Sequence, residues 1–300
     1  MDKINLCSGY GAASTNLLTI DWGDVQRLVD KPTNVPKPQA QWLIPSSYLS
    51  RSKKDQEKHG KYWLCAFDFD KNPPTVPELA KITREILSDG CNFELYNTNS
   101  ATLDNHKSRL FIPLTEPLNA HEWLLLQQVI AAKFEQREIV HDKALEGFCQ
   151  LSFLPNGKEG GNLTDKDGNV IGTRIYSSAS ERNSRALNPE LFREEMDELQ
   201  RQEDELKAEK AEKVKARSMV KKPATNDSKN LIEEFNRCYD VASFLKAHSY
   251  DQRGNKFRHP NSESRSFSAS ILNGRVHTLS PNDPLYTDGE GARDAFDVFA

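Results

Sequence analysis

The sequence predicts an α+β protein: a β-α-β-β-α-β core, a long charged helical connector, and a small C-terminal α+β unit. Three observations predict it. The run YWLCAFDF, Tyr62 to Phe69, is apolar on both faces and rich in aromatics, as a central strand is. Two stretches with helical spacing and N-cap signals, beginning at Thr75 and Asn119, alternate with β-patterned runs. A chain of 300 residues with 37% hydrophobic residues suits one large domain or two modest ones.

Residues 1–60, rich in turn formers such as KPTNVPKPQ, read as an extended, Pro-stiffened entry segment rather than packed core. The core spans 61–187. After the first strand and its terminal Asp70, Thr75 and Glu78 form a capping box, Leu79, Ile82, Ile86 and Leu87 recur at helical spacing, and Gly90 supplies the stop. Cys91 to Thr98 alternates like a second strand, Ala101 to Lys107 is polar loop, and Ser108 to Leu114 is a third strand. Asn119 caps the next helix with Glu122 three residues on, and Trp123, Leu126, Val129, Ile130 and Phe134 give it a broad apolar face. Gly147 to Leu154 reads as a fourth strand. This is the split βαβ pattern of ferredoxin-like (RRM-like) folds, and right-handed crossovers predict the strand order 4-1-3-2.

Beyond the core, Asp167-Gly168 marks a satellite hairpin. Residues 188–229 hold a charged helix, from Pro189 to about Ala216, and the linker KKPATNDSKN. Residues 230–300 form the accessory unit: a helix near Leu231 to Ala247, a tight hairpin at Asn273-Gly274, and the start of an amphipathic helix in GARDAFDVFA. That last helix is cut by the chain end, so the chain is expected to be the front part of a longer protein.

The five cysteines, Cys7, Cys65, Cys91, Cys149 and Cys238, are scattered without a CxxC pair, which argues against a disulfide framework or a zinc ribbon. The start lacks a signal sequence, and no run approaches the roughly 18 apolar residues of a membrane span, so a soluble, cytoplasmic protein is expected. The net charge of −4 is unevenly placed. Many acids fall in EEMDELQRQEDELKAEK, Glu194 to Lys210, and leave basic patches such as RSKKDQEKHGK elsewhere.

Asp68 and Asp70 are two apart on a strand, so both carboxylates leave one face, where they repel each other unless a cation neutralises them. Hard cations such as Mg²⁺ and Mn²⁺ take such oxygen ligands together with substrate phosphates. The predicted topology brings Asp142 to the same edge as a third carboxylate, with His106, Lys107 and Arg109 as cationic groups beside it. The combination has the character of a metal and triphosphate site.

These residues resemble the archaeo-eukaryotic primase superfamily, in particular the primase-polymerases of phages and plasmids, over Lys61 to Gly160. FDFD matches the metal-binding motif, YNTNSAT with HKSRLFIPLTEPL the second motif, Asp142 the third acid, and CQLSFLPNGKEG the closing strand. The resemblance implies a primase-polymerase core in which Asp68, Asp70 and Asp142 are catalytic and hold two Mg²⁺ or Mn²⁺ ions. Asn99, Ser100, His106, Lys107 and Arg109 would contact the incoming nucleotide. It departs at Thr98-Asn99-Ser100, where the family often reads T-x-H-S; asparagine stands for the usual histidine.

The implied reaction is nucleotidyl transfer that makes or extends primers, with nucleoside triphosphates and a single-stranded DNA template as partners, and a helicase region in a missing C-terminal part. The implied setting is a phage- or plasmid-encoded protein in a bacterial or archaeal cell. Lys53, Lys54 and Lys58 are expected to grip template phosphates. Arg253, Lys256, Arg258 and Arg265, around Phe257 and His259, are expected to stack on and clamp the single strand, with no metal at His259 or His277. The alternative is a non-catalytic initiator module that binds single-stranded nucleic acid, which Asn99 favours.

Overall fold

The computed structural model describes residues 4–13, 15–87, 90–157, 160–164, 167–182, 185–219, 226–262, 266–287 and 291–299. It is a mixed α and β structure with antiparallel sheets, and the chain divides into two units, Met1–Ala208 and Glu209–Ala300.

The first sixty residues correct the expectation of an extended entry segment. They fold into β1 (Asn5–Tyr10), β2 (Leu18–Asp21), helix α1 (Trp22–Asp30), a 3₁₀ turn at Lys37–Gln39, β3 (Gln41–Ile44) and helix α2 (Lys53–His59). Ile4, Leu6, Trp22, Val25, Val29 and Leu43 are buried there. Asp21 caps α1 in a reciprocal box with Asp24. The strands are only four to six residues long, so their alternation is too brief to stand out beside the turn formers around them.

The central sheet follows the predicted order more closely. Strands β4 (Tyr62–Phe69), β5 (Phe93–Asn97) and β6 (Ser108–Leu118) alternate with helices α3 (Val76–Leu87) and α4 (Ala120–Glu135). Strand β6 lies between β4 and β5 and is antiparallel to both, with Asp68 opposite Arg109 and Tyr96 opposite Arg109 in register. Asn119 and Glu122 form a reciprocal capping box, and at the start of α3 Glu78 accepts from both the backbone N–H and the hydroxyl of Thr75. One face of the sheet packs Phe67, Phe69, Leu110 and Ile112 against Leu79, Trp123 and Phe134 of α3 and α4. The other face packs Leu64, Ala66, Tyr96 and Phe111 against Leu6, Trp22, Val25 and Leu43.

The fourth strand departs from the expectation. Of Gly147 to Leu154 only Ser152–Phe153 is strand (β7), and it pairs with β3, giving a separate sheet of order β2-β1-β3-β7. The expected place beside β4 is taken by side chains and loops. Gln127 of α4 accepts from Ala66 N at 3.0 Å and donates to Ala66 O at 2.5 Å. One turn earlier on the same helix, Trp123 donates through Nε1 to Leu64 O at 2.8 Å. Asp142 N donates to Asp68 O at 2.7 Å. An unpaired strand edge is thus covered by a helix rather than extended by a strand.

On the far side, β5 is flanked by β10 (Ser178–Glu181), reached after the hairpin of β8 (Asn162–Thr164) and β9 (Val170–Thr173). A 3₁₀ turn at Pro189–Phe192 leads into helix α5 (Arg193–Met219), which begins in the first unit and runs into the second. In the second unit, helix α6 (Asn226–Cys238) and helix α7 (Val241–Ala247) replace the single helix expected near 231–247, because Asp240 interrupts with extended backbone. Four strands follow, β11 (Asp251–Arg253), β12 (Lys256–Arg258), β13 (Ala269–Leu272) and β14 (Arg275–Thr278), then helix α8 (Ala295–Phe299). The Asn273-Gly274 turn joins β13 to β14 with φ of 52° and 72°, the left-handed pair that a two-residue hairpin requires. No helix of the described residues is long and apolar enough to cross a membrane.

Replacing Gln127 by leucine keeps the volume but leaves Ala66 N–H and C=O buried without partners. At about 1–3 kcal/mol for each group, Gln127→Leu is expected to lower the urea unfolding midpoint clearly, whereas Gln128→Leu one position on is expected to cost little.

Candidate active site

Strand β4 ends at a cleft of about 250 Å³ lined by Asp68, Asp70, Tyr96, Thr98, Asn99, Ser100, Lys107 and Arg109 on the central sheet's side. Lys37, Ala40, Phe153, Leu154, Asn156 and Leu163 complete it. Strand alternation puts Asp68 on the face of Leu64 and Ala66, toward the first sheet, while Phe67 and Phe69 turn into the helical core.

The two acids arrive with counter-charges of their own. Arg109, opposite Asp68 in register, forms a buried ion pair through Nη2 to Asp68 Oδ2, and its Nη1 donates to Phe153 O. Burial, the largest single influence, works to discharge the guanidinium, but the adjacent Asp68 and Tyr96 together outweigh it and hold the Arg109 pKa above its ordinary value. Asp70 is more exposed, and its Oδ1 lies 3.3 Å from Lys107 Nζ. Asp68 Oδ1 is buried and has no hydrogen-bond partner among the described residues. A carboxylate oxygen left without a hydrogen bond is the kind of donor a hard cation takes, and Asp70 is a second carboxylate in the same cleft lining.

The third acid reaches the same edge, where it lines a pocket with Asp70, but it is not among the residues lining the cleft. Although its backbone is bonded to that of Asp68, the Asp142 carboxylate turns to cap the 3₁₀ turn Lys143–Glu146, accepting from Ala144 N at 2.9 Å. The sequence K-A-L-E after an aspartate gives that carboxylate a local donor, and the local bond is made. Among the described residues, no group of three or more His, Cys, Asp or Glu side chains is placed to hold a metal ion.

No protein-family model and no curated protein matches the chain. Its fold is similar to that of the AEP domain of the cyanophage S-2L primase-polymerase, with a TM-score of 0.38 and 8% identity over 64% of this chain and 89% of that one. Primase RepB′ is similar with a TM-score of 0.38 and 9% identity, over 83% of this chain and 72% of that one. The polymerase domain of Mycobacterium tuberculosis ligase D, in complex with DNA, is similar with a TM-score of 0.30 and 12% identity, over 57% and 63%. Its structural neighbours are primase and polymerase domains. These likenesses are distant, so residue roles are taken from the cleft itself.

Asn99, Ser100, Lys107 and Arg109 line the cleft as predicted, but His106 is not among the lining residues. Lys107 and Arg109 are paired with the aspartates rather than free for a triphosphate. Asn99 is exposed and close to Gly157, where an added Cβ would lie 3.3 Å from its Oδ1. Lys53, Lys54 and Lys58 do not lie on a flexible segment: they are on the exposed faces of α2, which Ser52 caps and buried Gln56 anchors, and they do not line the cleft. In the second unit Phe257 is fully buried and cannot stack a base, Arg258 pairs with Asp251, and Arg265 lies outside the described residues.

Sequence reasoning missed Lys37, Tyr96 and Phe153. Lys37 lies on the 3₁₀ turn of the segment read as an entry arm, with Nζ 5.7 Å from the Phe153 ring centroid. Tyr96 donates through its hydroxyl to Phe153 O at 2.8 Å, so one carbonyl receives both Tyr96 and Arg109. No local signal marks that carbonyl, because its role comes from the pairing of β7 with β3.

Arg109→Met strands Asp68 as a buried charge, an effect of about 3–5 kcal/mol. The expected urea denaturation result is a large loss for Arg109→Met and a loss for the double variant Asp68→Asn/Arg109→Met that is well below the sum of the two single losses.

Proposed function

We propose that this chain is a primase-polymerase of the archaeo-eukaryotic primase type, transferring nucleotides from nucleoside triphosphates to a strand on a single-stranded DNA template. The observation that carries the reading is Asp68 Oδ1, a buried carboxylate oxygen with no partner among the described residues, in the lining of a polar cleft that also holds Asp70. Mg²⁺ or Mn²⁺ held by Asp68 and Asp70 would supply charge neutralisation at the phosphates and activation of the attacking 3′-hydroxyl. Two acids fit one such ion; toward the second ion implied by the family pattern Asp142, which lines a pocket with Asp70, would offer Oδ2, its Oδ1 accepting from Ala144 N.

The chain's own groups do the positioning. Arg109 holds Asp68 by one oxygen and is itself anchored on Phe153 O, which fixes the direction of the other oxygen. The Asn99 amide and the Thr98 and Ser100 hydroxyls offer uncharged hydrogen bonds to phosphate oxygens. Lys37, on the opposite wall, is a cation without a carboxylate partner among the described residues and suits triphosphate charge. Tyr96, buried on the floor, limits how deep a sugar can enter.

A second reading, a nucleic-acid-binding module without turnover, is favoured by the capped Asp142 and by asparagine at position 99. Primer synthesis or extension with template, nucleotides and Mn²⁺ decides between them. The expected result is product from the native chain and at least a hundredfold less from Asp68→Asn, in the range that loss of transition-state charge stabilisation gives; equal product from both rejects the enzyme. Under the second reading template binding persists with no product and no dependence on divalent metal.

A further inference from the structure

The second unit carries a charged surface that the cleft does not involve. In its sheet, of order β11-β12-β13-β14, Arg253 pairs with Lys256, Lys256 with Ser270, and Ser270 with His277. Residues directly opposite across strands share a face, so these four form one row across the whole sheet. Adjacent rows on that face hold Asp251 opposite Arg258 and Leu272 opposite Arg275. The reverse face holds Phe257, Ala269 and Val276, which are buried with Val241, Leu245 and Ala295. The sheet is therefore covered by helices on one side, and its other side is exposed at Arg253, Lys256, Arg275 and His277.

That outer face holds four permanent cations, Arg253, Lys256, Arg258 and Arg275, against one carboxylate, Asp251. Arg258 is paired with Asp251, and Arg275 lies 3.7 Å from Asp294. Arg253 and Lys256, side by side, make no ion pair among the described residues.

We propose that this face binds the sugar-phosphate backbone of single-stranded nucleic acid. With strands about 4.8 Å apart, the row of Arg253, Lys256, Ser270 and His277 is about 14 Å long. It is a line of donors suited to a strand with a regular charge along its length. Ser270 in the middle adds a hydroxyl donor between the charged groups. Within the strands the face has no aromatic ring besides the His277 imidazole, and Leu272 is its one large aliphatic side chain. Phe267, just before β13, carries the Arg258 guanidinium over its ring at 5.2 Å to the centroid, and the strands themselves offer no apolar pocket to seat the anchors of a peptide. Binding is consequently directed at phosphates, independent of sequence, and strongly weakened by salt.

The test is the salt dependence of binding a short fluorescent oligodeoxythymidine to the full chain, read by anisotropy. Each phosphate contact on a single strand contributes about 0.7 to the slope of log K against log salt, so Arg253→Ala/Lys256→Ala is expected to make the slope shallower by about 1.4. Arg253→Lys is expected to retain the native slope, and Asp68→Asn, in the cleft of the other unit, to leave it unchanged whether or not primer synthesis survives. An unchanged slope in an alanine double variant whose melting temperature matches the native chain overturns the proposal. So does displacement of the oligonucleotide by polyglutamate at equal charge concentration, which would assign the face to acidic polypeptides.

Discussion

The hydrogen-bonding edge of β4 is the constraint from which the rest of the first unit follows. As the edge strand of the central sheet, β4 must satisfy its outward N–H and C=O groups, and here Gln127 and Trp123, one helical turn apart on α4, take Ala66 and Leu64. Asp142 N takes Asp68 O. Because a helix seals that edge, the chain after α4 has no place to pair there. It crosses instead to β3, with Leu151 and Phe153 packing beside Trp42, Cys7 and Ile44. The crossing places Phe153 and Leu154 opposite Asp68 and makes a cleft where a four-stranded split βαβ sheet would have had only an edge.

The electrostatics of the cleft follow from the register of β4 with β6. Asp68 stands opposite Arg109, so the pair forms within the sheet and stays with it. A buried guanidinium held by a carboxylate and by a carbonyl is poorly free to move, and the uncompensated positive charge of the cleft lies outside that pair. This divides the labour between the two walls: the central sheet supplies carboxylates already compensated, and the opposite wall supplies Lys37.

Much of this could be read from the residues alone. The YWLCAFDF strand, the helix starts after Thr75 and Asn119 and the Asn273-Gly274 turn rest on local patterns of periodicity, cap chemistry and left-handed turn residues, and the antiparallel order of the three central strands follows from crossover handedness. Asp68, Asp70, Asn99, Ser100, Lys107 and Arg109 fall in one cleft because they sit at the ends of those same strands. Three things were not legible. Strands β1 to β3 are only four to six residues long and set among turn formers, so packing against Leu64, Tyr96 and Phe111 decides them. The fate of Gly147 to Leu154 depends on a glutamine side chain acting as a strand, which no propensity encodes. The direction of the Asp142 carboxylate depends on whether a nearby backbone N–H or a distant pair of acids claims it.

The carbonyl of Phe153 is a shared tether: it belongs to a strand of one sheet and receives Tyr96 and Arg109 from the other. Prising the two layers apart detaches both donors together and releases the guanidinium that restrains Asp68. The width of the opening and the reach of the aspartate are therefore a single mechanical variable, and a guest large enough to spread the layers also loosens the carboxylate that greets it.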